Sequence, residues 1–248
     1  LAWGDAPETL DCTLMLDAAT GEVLVEEGRC DVRTTPVSIF NIAVSLMGFD
    51  AGILQDAHTP ALPFKDGYVD WQPSWRAATD PTSWIRNSTV WYAQQVTSRL
   101  GERRVQDYVG RFDYGNQDLT GGVDIAWIAS SLQVSPREQV AFLRKVANRE
   151  LPVSAHAFDM TAQLLRLPTL ADGWQVYGKT GTASGDGAGD NSRALGWFVG
   201  WAAKDGRTVV FARQTFGPRD PDRAAGPLLK ERFLRALPGR LATLSPST

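Results

Sequence analysis

Strand-like sequence stands at both ends of this chain and helical sequence fills the middle, so the two ends are expected to meet in one sheet with the helical part inserted. Thr13–Asp17 and Glu22–Glu26 flank the turn-like Ala18–Gly21 and read as a β-hairpin. Toward the other end, Gln175–Lys179 and Ala194–Trp201 are strand-like, and Asp205-Gly206 turns the chain into Thr208–Ala212. A terminal helix follows, with Leu229, Phe233 and Leu237 on one stripe. In the middle, Ser38–Met47 is apolar nearly all round, the pattern of an interior helix that Gly48 or Gly52 could end. Ser88–Leu100 places Tyr92, Val96 and Leu100 at helical spacing before a capping Gly101. Ser135-Pro136-Arg137-Glu138 is a capping box with proline at the first helical position, leading into Val140, Leu143 and Val146. The expected class is α+β: a single domain whose sheet part is roughly residues 1–36 and 170–248 and whose helical part is roughly 37–169. A cleft between two such parts is a favoured place for a small-ligand site.

Charge and composition narrow the function. At 248 residues and 43% hydrophobic content the chain can bury a core without a partner, and its oligomeric state stays open because no interface pattern stands out from ordinary surface. A net charge of −3 with scattered acids offers neither a nucleic-acid footprint nor a polybasic membrane patch. There is no run of 18 apolar residues, so membrane insertion is not expected. The start at Leu1 lacks a basic stretch followed by an apolar one, so the chain reads as a soluble, mature protein. Folding the first hairpin about Thr20 or Gly21 brings Cys12 and Cys30 nearly opposite one another, as a disulfide needs. A bridge there implies an oxidising compartment; two free buried thiols are the alternative.

Several chemistries lack their residues. Only His58 and His156 are present and there is no GxSxG elbow, so a Ser-His-Asp hydrolase has little to work with. No HExxH or CxxC cluster suggests zinc, and no glycine loop cradles phosphate. The glycine-rich Asp186–Asp190 stretch is short of calcium ligands and reads as a hairpin loop. What remains is Ser38 at the mouth of a buried helix, beside unpaired amides and the positive end of the helix dipole. That setting suits a nucleophile and an oxyanion, and equally an ordinary N-cap serine. Asn41 lies on the same face one turn on. Lys179-Thr180-Gly181 ends a strand, where glycine admits a ligand to the backbone and lysine supplies a cation. Ser88-Thr89-Val90 and Tyr114-Gly115-Asn116 read singly as a helix cap and a loop.

Taken together and in this order, Ser38 with Asn41, Ser88-Thr89-Val90, Tyr114-Gly115-Asn116 and Lys179-Thr180-Gly181 resemble the motif set of the class D β-lactamases, the oxacillinase type. The likeness extends through Ser45–Leu54, Phe112–Gln117 and Trp197–Trp201. The resemblance implies a β-lactamase/penicillin-binding transpeptidase-like fold with β-lactam antibiotics as ligands and a periplasmic or secreted location. Ser38 would attack the lactam carbonyl to form an acyl-enzyme that water hydrolyses. Ser88 would pass a proton toward the lactam nitrogen, and Val90, Tyr114 and Asn116 would belong to the substrate side. Lys179, Thr180 and Gly181 would hold the ligand's carboxylate end, and the amides of Ser38 and Ala183 would form the oxyanion hole. Trp127 matches a tryptophan that shields the base in that family; its residue type alone suggests core. A cation on the last helix would bind the carboxylate, and Lys230 lies nearest that position, with Arg223 and Arg232 as rivals.

One position departs from that family. Three residues after its nucleophile the family carries a lysine whose buried amine is carboxylated by carbon dioxide and serves as general base. Asn41 has no proton-accepting form near neutral pH, so neither the carbamate nor the base is expected and no cofactor or metal is called for. Base assistance contributes typically about 10² to 10⁴-fold, so turnover is expected to be impaired or absent. A base-deleted laboratory variant, a natural pseudoenzyme, or a protein that recruits another base such as Lys179 would each account for Asn41; a sensor-type β-lactam-binding domain and a cell-wall DD-peptidase are the rival readings.

Overall fold

A computed structural model describes residues 9–185 and 191–244. The Asp186–Asp190 loop expectation lies outside those residues. The strands are β1 (Leu10–Asp17), β2 (Val23–Gly28), β3 (Gln175–Ser184), β4 (Arg193–Lys204) and β5 (Arg207–Pro218). They form one antiparallel sheet in the order β2-β1-β5-β4-β3, so the two chain ends do share a sheet, with β1 against β5 from Leu10↔Phe216 to Asp17↔Val209. β4 runs through the middle with Ala194 to Ala202 all buried, which is why its sequence is nearly continuous in apolar residues.

The sheet is a middle layer. On one side α7 (Ala225–Ala242) lays Phe233, Leu237 and Leu241 over Met15, Val176, Phe198 and Phe211. On the other side lies the larger core, built from α1 (Asn41–Asp50), α2 (Pro81–Asn87), α3 (Val90–Leu100), α4 (Glu102–Arg111), α5 (Pro136–Ala147) and α6 (Ala155–Leu165). α5 begins at the expected capping box: Ser135 Oγ accepts from the Glu138 amide, and Glu138 accepts from the Ser135 amide. Cys12 and Cys30 are bridged, with Cα atoms 5.2 Å apart at the open end of the hairpin. Among the described residues no helix is long and apolar enough to cross a membrane.

Two local expectations are corrected. Ser38 does not cap a long helix: Val37–Phe40 is a turn of 3-10 helix, and α1 starts only at Asn41. Of the two glycines expected to end that helix, Gly48 lies inside α1, packed on Leu54 and Val96 where a side chain would clash, and Gly52, at φ +75°, makes the turn. Ser88 does not begin a helix: it is a left-handed residue (φ 52°, ψ 41°) closing α2, and Thr89 precedes α3. A short α2 with its own capping box at Asp80 and Ser83 was hidden from the pattern by its seven-residue length.

Candidate active site

The turn that carries Ser38 is held from three directions. The Val37 amide donates to Trp127 O at 2.9 Å, Thr35 Oγ1 donates to the same carbonyl at 2.8 Å, and Trp197 Nε1 donates to Thr35 O at 3.1 Å. Thr35 Oγ1 also accepts from the Ala129 amide at 2.9 Å, so one small residue joins the helical part to the sheet. Val37 carries φ +44°, a left-handed conformation that a β-branched residue adopts only where its surroundings impose it. The result is a Ser38 that is half-buried rather than sealed, with neither its amide nor its hydroxyl hydrogen-bonded among the described residues.

Strand β3 is the open edge of the sheet and passes directly over this turn. A Cβ at Gly181 would lie 2.8 Å from Val37 Cγ2 and 3.2 Å from Pro36 O, so only glycine lets the strand approach this closely. Two residues before it on the same strand face, Lys179 is 3% exposed, and its Nζ donates to Ser88 Oγ at 2.5 Å and to Thr180 O at 2.9 Å. Burial pushes the Lys179 amine down to about 7, and the neighbouring charge of Lys230 adds to that. Burial also holds Lys230 below the usual lysine range. Lys230 faces the same cavity as Lys179 and Thr180, whereas Arg223 is tied to Glu231 and Arg232 faces a different depression beside Arg213 and Phe216.

Asn41 is 2% exposed at the start of α1, and its Oδ1 has no hydrogen-bond partner. A buried amide oxygen left without a protein partner is costly. The carboxylated lysine of the resemblance therefore does not fit here: a carboxamide cannot be carboxylated to a carbamate base.

Of the other expected site residues, Tyr114, Trp127 and Val90 are buried and Asn116 is half-buried. Tyr114 is fully buried, packs on Phe40 and Phe142, and donates its hydroxyl to Gln139 Oε1 at 2.9 Å. Burial, and then the charge of Glu138, lifts its phenol well above the usual range, so it is a permanent neutral donor. Asn116 uses its amide to fasten a loop, donating to Ser131 O and accepting from the Asp118 and Gln133 amides. Trp127 is 1% exposed and packs 5.6 Å from Phe40. Val90 is buried in the first turn of α3. Tyr114 and Asn116 thus spend their polar side-chain atoms on protein partners, while Trp127 contributes ring packing. Thr180 and Ala183 are half-buried on β3 and remain accessible. Thr35 and Val37 went unnoticed in the sequence; the Pro36-Val37 pair before the serine was the only available signal, and it is a weak one. Among the described residues no cluster of three His, Cys, Asp or Glu is placed to hold a metal.

A serine presented on a strained turn, under an edge strand whose lysine is tied to a second serine, defines a serine acyl-transfer cleft. The penicillin-binding protein transpeptidase domain model matches residues 12–237 of the chain. β-Lactamase OXA-9 of Klebsiella pneumoniae is 42% identical over 247 residues, covering 94% of this chain and 89% of that protein. β-Lactamase OXA-1 of Escherichia coli is 35% identical, covering 84% and 77%. The crystal structure of the class D β-lactamase OXA-427 superposes with a TM-score of 0.89 at 41% identity, covering 95% of this chain and 100% of that one. The class D enzyme of Bacillus subtilis gives 0.81 at 28% identity, covering 96% and 94%. The chain belongs to the penicillin-binding transpeptidase family and, within it, to the class D β-lactamases.

Proposed function

We propose that this protein captures β-lactams on Ser38 and releases them slowly, because Asn41 stands where the family's base would be. The carrying observation is the unpaired, buried Asn41 Oδ1 one turn from a Ser38 hydroxyl that solvent can reach. Lys179, whose amine is poised near neutrality and bonded to Ser88, supplies the remaining proton route. In its neutral form Lys179 takes the Ser38 proton through Ser88 as Ser38 Oγ bonds to the lactam carbonyl carbon. The same proton then returns through Ser88 to the lactam nitrogen as the C–N bond breaks. The Ser38 and Ala183 amides receive the developing oxyanion, and Thr180 with Lys179 meets the ligand carboxylate. Among the described residues no comparable base faces the acyl-enzyme from the Asn41 side, so water attack is the slow step.

The Cys12–Cys30 bridge supports a periplasmic or secreted setting, where such bridges persist. Intact-mass spectrometry after mixing the protein with a penicillin tests the reading. A persistent adduct that disappears in Ser38→Ala is expected; an unmodified mass with the drug consumed would overturn slow release, and an unmodified mass with intact drug would overturn capture.

A further inference from the structure

Beyond Lys179 and Thr180 lies a cavity of about 440 Å³ whose outer walls the acylation chemistry does not use. Its walls come from three elements: Arg86 from the last turn of α2, Arg166 from the end of α6, and Lys230 from α7, with Lys179 and Thr180 at its inner end. No carboxylate is among its lining residues, and the nearby Asp80 is engaged by His58 Nδ1 at 2.8 Å on the rim. Elsewhere on this protein arginines sit against acids, as Arg33 does on Glu138, Arg149 on Asp159 and Arg240 on Glu27. By contrast, the side chains of Arg86, Arg166 and Lys230 have no hydrogen-bond or ion-pair partner among the described residues. The ends of α2 and α6 offset part of the two arginine charges through their helix dipoles, but nothing offsets Lys230, which is partly buried and repels Lys179.

Cations gathered around a concave surface without a counter-charge raise one another's energy, and an anion placed among them relieves all of them at once. Arginine guanidinium groups present planar pairs of donors suited to oxyanions. The backbone fixes the geometry: Leu167 N donates to Val176 O at 2.9 Å, and Arg166 bridges to Tyr177, so the end of α6 is fastened to β3.

We propose that this cavity is an anion site, distinct from the acylation centre, that takes a doubly charged oxyanion group on Arg86, Arg166 and Lys230. The group could arrive as a free inorganic oxyanion or as a second acidic substituent of a ligand whose first carboxylate sits at Thr180. Both sources present the same chemistry to the same three side chains. The site does not depend on Ser38 being acylated, so its test is made without any β-lactam.

Titration calorimetry of the full chain with sodium phosphate, at ionic strength held constant with sodium chloride, reads the site directly. Saturable one-to-one binding is expected, weakened by about tenfold or more in the double variant Arg86→Gln/Arg166→Gln, since hydrogen bonds from a charged donor to an oxyanion are the strong ones and the variant removes two such donors. Both arginines are exposed, so circular dichroism and the unfolding temperature should match the parent. A second arm separates the two sources: the adduct formation rate for a penicillin with a side-chain carboxylate is compared with that for its uncharged analogue, with and without phosphate. Phosphate slowing the dicarboxylate in the parent but not in the double variant assigns the site to a ligand substituent; phosphate binding without that slowing assigns it to the free ion. Absence of saturable binding at constant ionic strength, or binding that the double variant leaves unchanged, would overturn the proposal while leaving the Ser38 chemistry untouched.

Discussion

Lys179 Nζ lies 2.5 Å from Ser88 Oγ, tying the edge strand of the sheet to the left-handed link between two helices of the inserted part. Ninety-one residues of chain separate these two groups. Because the amine is buried, its pKa is pulled down to about 7.

Asn41→Lys is expected to restore hydrolysis. A lysine amine at a buried, partnerless position would regain the capacity for general-base assistance, raising deacylation by about 10² to 10⁴-fold. Steady-state hydrolysis of a chromogenic cephalosporin, with bicarbonate added, checks this; a variant that folds yet turns over no faster than the parent would remove Asn41 as the cause of slow release.

Acylation should follow the neutral form of Lys179. The adduct formation rate should rise with pH through about 7 and level off above it, and Lys179→Met should flatten the profile along with lowering the rate. Stopped-flow acylation between pH 5.5 and 9 reads the profile directly.

Stability carries the same signature with a definite sign. Lys179 is depressed in the folded state, so between about 7 and its ordinary value of 10.5 the unfolded chain binds more protons than the folded one. This contribution to stability therefore rises with pH across that window and is most unfavourable below it. Lys179→Met should raise the unfolding temperature most at pH 6, with the gain shrinking toward pH 10. A gain independent of pH would show that the amine is not being held neutral by burial.

Tyr114→Phe separates bracing from substrate contact. Removing the hydroxyl leaves Gln139 Oε1 buried without its donor, at a cost of about 1–3 kcal/mol in urea unfolding. The acylation rate per folded molecule should stay within about twofold, because a fully buried ring meets no ligand; a drop near the 10²-fold scale of a missing catalytic group would return Tyr114 to the substrate side.

Opening the Cys12–Cys30 bridge by Cys12→Ala/Cys30→Ala should cost about 3 kcal/mol, the chain-entropy value for a loop of this size. The bridge lies on the far sheet edge from β3, so the acylation rate of the folded variant should be unchanged.

Local and periodic signals carried much of this protein. The capping box at Ser135 and Glu138, the Asp205-Gly206 turn, the Leu229–Phe233–Leu237 stripe and the opposition of Cys12 and Cys30 were all legible, because each depends on neighbours close along the chain. The order of motifs likewise marked Ser38, Ser88 and Lys179. What could not be read was which way those groups point. Ser88 adopts a left-handed backbone that no residue around it demands, Val37 is held at positive φ by Trp127 and Thr35 contacts formed across 90 or more residues, and Tyr114 turns inward toward Gln139. Those choices are settled by packing between elements, where burial of large side chains outweighs any local preference, so residue types and spacing determined the chemistry on offer while tertiary contacts decided which side chains reach the cleft.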